Sequence, residues 1–71
     1  MDYIKWSQEY VNEARKILRI IDRKKALLKR STPDERHVIN AQIIKLRNIY
    51  YDNMLTAKHL RQRAKELLDA A

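Results

Sequence analysis

The chain has 71 residues and a mass of 8.6 kDa, with sixteen Lys and Arg against nine Asp and Glu, a net charge of +7 and a pI near 10.0. That length holds one small domain, spanning 1–71, whose core rarely supplies more than about 3–5 kcal/mol. Cysteine is absent, which excludes disulfides, iron–sulfur clusters and thiolate zinc sites. Glycine is absent too, which argues against phosphate-binding loops and tight hairpin turns. Self-association or a partner protein is the support that remains for so small a core.

The start, Met1-Asp2-Tyr3-Ile4-Lys5-Trp6, lacks a basic region followed by an apolar run, so no secretory signal is expected. No stretch approaches the roughly 18 apolar residues of a membrane span. With 35% charged residues, the expected location is cytoplasmic. The first helix is expected over about residues 3–30. Tyr3, Ser7, Tyr10, Ala14, Ile17, Ile21 and Leu28 follow a 3–4 spacing, flanked by Ile4, Val11 and Leu18. Charge is uneven along it: residues 1–14 carry −2, residues 15–30 carry +7, and the remaining 41 carry +2. The cations Arg15, Lys16, Arg19, Arg23 and Arg30 form a stripe pointing away from the apolar seam. Pairs such as Arg15/Arg19 and Arg19/Arg23 are like charges at i, i+4, each costing a few tenths of a kcal/mol.

Ser31-Thr32-Pro33-Asp34-Glu35 is the one strong break, and the turn is expected at 31–32. Thr32 is placed as an N-cap with Glu35 completing a capping box, Pro33 suits the first helical position, and the acidic residues favour the positive helix end. The second helix is expected over about 33–69. Ile39, Ile43, Leu46, Tyr50, Asn53, Ala57, Leu60, Ala64 and Leu67 keep heptad spacing along it. The two helices would be roughly 42 and 55 Å long. The expected fold is therefore all-α, a two-helix antiparallel hairpin. Folding at 31–32 makes facing residues sum to about 63, which sets small Ala14 beside large Tyr50. Asn53 would lie near Tyr10, whose hydroxyl is its expected partner. Residues 63–71 would overhang.

The remaining apolar residues fall into two sets. Trp6, Ile20 and Leu27 with Val38, Ile49 and Leu67 lie on one side of the hairpin. Pairing that side with its copy gives a homodimeric four-helix bundle. Ile44, Tyr51 and Leu55 form a separate strip with Arg47 and Lys58 beside it, a candidate for a protein partner.

Chemistry is sparse. His37 and His59 are 22 residues apart on one helix, roughly 33 Å, and cannot cooperate within a chain. Asp34 and His37 have an i, i+3 spacing, but helix capping explains Asp34 and no Glu-x-x-His pattern accompanies it. Ser7 has no histidine near it, and Glu9, Glu13 and Asp52 are read as surface groups. No enzyme activity, cofactor or metal is expected. The first expectation is a self-associating protein-interaction or assembly module. The alternative is a small regulator that binds nucleic acid phosphates through the basic stripe, reading charge or shape, since no Asn or Gln joins it to read bases. Membrane-surface binding ranks below both, because the apolar stripe is committed to the seam.

Overall fold

The computed structural model describes residues 2–70. Two helices, α1 (Tyr3–Leu28) and α2 (Pro33–Ala70), pack side by side as an antiparallel hairpin, with no strand among the described residues. The Cα trace measures 58 × 14 × 14 Å, a rod one helix pair thick.

Local chemistry fixes the ends. Asp2 caps α1, accepting the Lys5 amide hydrogen at 3.0 Å on Oδ1. At the turn the capping box forms: the Glu35 amide donates to Thr32 Oγ1 at 3.3 Å, and the Thr32 amide donates to Glu35 Oε1 at 3.4 Å. The turn is Lys29–Thr32, two residues longer than expected, because α1 stops at Leu28. Its last carbonyls find partners from beyond the helix. The Ser31 hydroxyl donates to the Leu27 carbonyl at 2.6 Å, and Arg36 Nε donates to the Leu28 carbonyl at 3.1 Å. Those bonds satisfy orphan acceptors that would otherwise favour one more helical turn. No described residue takes a positive φ, so the connection forms without glycine.

The seam follows the expected heptads. Ser7, Val11, Ala14, Ile21, Ile43 and Ala57 are buried, and Tyr3, Tyr10, Ile17, Leu28, Ile39, Leu46, Tyr50, Asn53, Leu60 and Ala64 are half-buried. Small side chains at Ser7, Ala14 and Ala57 let the helices approach closely. The largest fully buried side chain is that of Ser7, 1% exposed, whose hydroxyl donates to the Ile4 carbonyl at 2.7 Å. Three of the six buried residues are small and most of the larger seam side chains are only half-buried, so the seam supplies limited apolar burial.

Leu67 keeps the seam spacing but lies in the expected overhang, and it is 55% exposed there. Two expectations are corrected. Asn53 does not hydrogen-bond Tyr10; no buried polar side-chain atom lacks a partner among the described residues, and the half-buried amide reaches water. The overhang is shorter than expected. Ala64 is half-buried, and Tyr3 and Ile4 share a groove with Ala64, Leu67 and Leu68. Helical side chains lean toward their own N-terminus, so in an antiparallel pair each covers a spot about one residue back. Meeting side chains therefore sum to more than level backbones do. Lys24 Nζ donates to Gln42 Oε1 across the seam at 2.8 Å, a pair whose numbers sum to 66.

Candidate interaction surfaces

The two broad sides of the hairpin differ in chemistry, and helix geometry sets which residues share a side. At 100° per residue, positions 6, 13, 20 and 27 fall in one row of α1, and positions 42, 49, 56 and 63 in the matching row of α2. Because the helices are antiparallel, both rows turn to the same side. The Lys24–Gln42 bond crosses the seam there, as does the groove lined by Tyr3, Leu60 and Arg63.

This first side carries Trp6, Ile20, Leu27 and Ile49, all exposed, with Ile49 at 46%. Trp6 stacks on Tyr3 with ring centroids 6.3 Å apart and planes 20° from parallel. In its central rows Lys24 and Arg63 stand against Glu13 and Glu35, which cancel, and Glu9 and Glu66 lie at its edges beside Trp6 and Arg63. Val38 lies further round, toward the outer side of α2, and Leu67 lies at the open end. Of the six residues singled out for self-association, four thus share a compact side and two sit at its margins. The trio Glu9, Glu13 and Asp52 is not brought together. Glu9 and Glu13 line a groove with Trp6 and Tyr10, whereas Asp52 lines a groove on α2. No group of three or more metal-ligating side chains occurs among the described residues.

Comparison with protein-family models, with curated proteins and with solved structures finds no match. The surfaces must therefore be read from their own chemistry.

The opposite side is studded with apolar groups and strongly basic. Ile4, Leu18, Ile44, Tyr51 and Leu55 are exposed there or at its edge, Tyr51 at 63%. Tyr51 and Leu55 line a groove with Met54, Ala57, Lys58 and Arg61, with Asp52 as its one carboxylate. Ile44 stands two turns nearer the hairpin turn, outside the groove. Buried Ala57 leaves the notch that the longer neighbours surround. Spacing alone pointed to Tyr51 and Leu55; it missed Met54 and Arg61, whose row becomes visible only once the seam is centred on Ala57.

The basic stripe stands on the outer surface of α1. Arg15, Lys16, Arg19, Arg23 and Arg30 are all exposed. Lys16 pairs with Glu13 at 2.9 Å, and this is the only ion pair among the described residues. Arg15, Arg19 and Arg23, along about 12 Å of α1, and Arg30, which falls in the turn because α1 stops at Leu28, therefore have no carboxylate partner. No described helix is long and apolar enough to cross a membrane.

Proposed function

We propose that this protein is a non-enzymatic interaction or assembly module that works as a homodimer, two hairpins forming a four-helix bundle through the Trp6, Ile20, Leu27 and Ile49 side. The supporting observation is surface area. The chain exposes 5870 Å². A compact monomer of this mass exposes about 4,700 Å². The surplus of about 1,200 Å² exceeds the roughly 800 Å² that each partner buries in a standard interface. Charge selects the side. A twofold contact sets a surface against its own copy. The Trp6 side is neutral and meets itself without repulsion, while the opposite side would repel its copy. Val38 and Leu67 join at the margins of the bundle.

Replacing Ile49 with Glu tests this. The variant is expected to run as a monomer or to lose its helicity, while Leu55→Glu, on the other side, keeps the dimer mass. An Ile49→Glu protein that remains a stable dimer overturns the interface.

A second reading rests on the cations of α1 and the turn, all but Lys16 without an ion pair among the described residues. Arg15, Lys16, Arg19, Arg23 and Arg30 would follow a phosphate backbone. Five such contacts imply that affinity for a duplex falls about 500-fold between 50 and 200 mM salt. Duplex DNA and RNA titrations read by anisotropy decide it. Salt-sensitive binding abolished by Arg19→Glu/Arg23→Glu supports it, and no binding at low salt removes it.

A further inference from the structure

The side opposite Trp6 combines features that neither a second copy nor a bare polyanion uses together. From α1 it carries Arg15 and Lys25, from the turn Lys29, and from α2 Arg47, Lys58, Arg61 and Lys65. Asp22 is the one carboxylate in those rows, so the side holds a large positive excess. None of these seven cations is in an ion pair among the described residues. Among them runs the Tyr51, Leu55 and Met54 groove, of about 550 Å³, with Ala57 beneath it, Lys58 and Arg61 at its edge, and Asp52 as its one carboxylate.

We propose that this side docks an acidic amphipathic helix supplied by another protein, seated in the Tyr51–Arg61 groove. The inference deepens the interaction-module reading by naming the chemistry of the partner, and it does not depend on the dimer. An apolar groove along a helix is the usual seat for an amphipathic helix, which inserts anchors at i, i+3 or i+4, and i+7. The cations along one edge, Lys58 and Arg61 in the groove with Arg47 and Lys65 beyond it, outnumber Asp52; they select carboxylates beside the apolar stripe of the partner and repel a basic helix. They extend from Arg47 to Lys65, about 27 Å, so the partner segment is about 18 residues long. A second copy is excluded by charge, since this side would face its own positive excess. A nucleic acid backbone would engage the cations but leave Ile44 and Leu55 in water. An acidic amphipathic helix satisfies both. Apolar anchors supply most of the affinity, and exposed ion pairs at the rim supply selectivity and rate.

The test uses the full chain and a fluorescein-labelled 18-residue synthetic peptide with a leucine stripe flanked by glutamates. Three comparison probes accompany it: the same composition scrambled to remove the stripe, the same stripe flanked by lysines, and a labelled duplex RNA. Anisotropy at 150 mM salt is expected to show the acidic amphipathic peptide binding at least tenfold more tightly than every other probe. Leu55→Ser/Lys58→Glu is expected to weaken it at least tenfold while keeping wild-type helicity and oligomeric mass, which separates loss of docking from loss of assembly. Lys58→Glu/Arg61→Glu, which alters only exposed charges, should act in the same direction. Absence of peptide binding overturns the proposal. So does equal binding of the scrambled peptide, tighter binding of the duplex, or unchanged affinity in both variants.

Discussion

Dilution should lower the melting temperature of this protein, by an amount that follows from its size. Six described residues are buried, and the largest fully buried side chain is a serine. If the proposed dimer supplies the rest of the core, folding and pairing should be one transition. Unfolding then converts one dimer into two chains of 71 residues. At about 0.7 kcal/mol per residue, the enthalpy at the midpoint is about 100 kcal/mol per dimer. A tenfold dilution favours the dissociated state by about 1.4 kcal/mol. The midpoint should fall by about 5 °C for each tenfold dilution, and by about 10 °C between 100 and 1 μM. Circular dichroism of the helical signal reads this directly. A midpoint constant within 1 °C over that range would refute the coupling, because an isolated hairpin melts at the same temperature whatever its concentration.

Thr32→Ala removes the cap hydroxyl of α2 and should cost about 1 kcal/mol, read as a lower denaturation midpoint with unchanged slope. Ser7→Ala should be neutral or stabilising by a few tenths of a kcal/mol. The Ser7 hydroxyl bonds only to the Ile4 carbonyl of its own helix, and alanine is the better helix former. Ser7→Leu should instead overpack a fully buried seam position and cost about 1–3 kcal/mol. Arg19→Glu turns two like-charge i, i+4 pairs into opposite-charge pairs, so the thermal midpoint should rise at low salt and the gain should vanish at high salt.

The turn was legible because its chemistry is local. Thr32, Pro33 and Glu35 act within one helical turn, and their geometry depends on little else. The seam was legible because a 3–4 repeat fixes a face wherever the helix packs. Asp2 was legible but passed over; a carboxylate just before the first periodic residue is an N-cap signal. The end of α1 was not, because the groups that satisfy its last carbonyls, Ser31 and Arg36, belong to the turn and to α2. Leu67 keeps its heptad position while remaining exposed, because how fully a seam residue is covered depends on where α1 begins. The contrast in charge between the two broad sides was hidden in the sum. A net charge of +7 hides it, and dividing the chain into segments assigned the excess to residues 15–30. Once the helices are antiparallel, Arg47, Lys58, Arg61 and Lys65 of α2 join Arg15 of α1 and Lys29 of the turn on one side, and the other side is left close to neutral.

The most direct test of the central claim is the mass of the untreated chain in solution, by sedimentation equilibrium across 1–100 μM. Dimerisation through the neutral side predicts a species of twice 8.6 kDa over the upper part of that range. A helical protein that stays at 8.6 kDa throughout contradicts it.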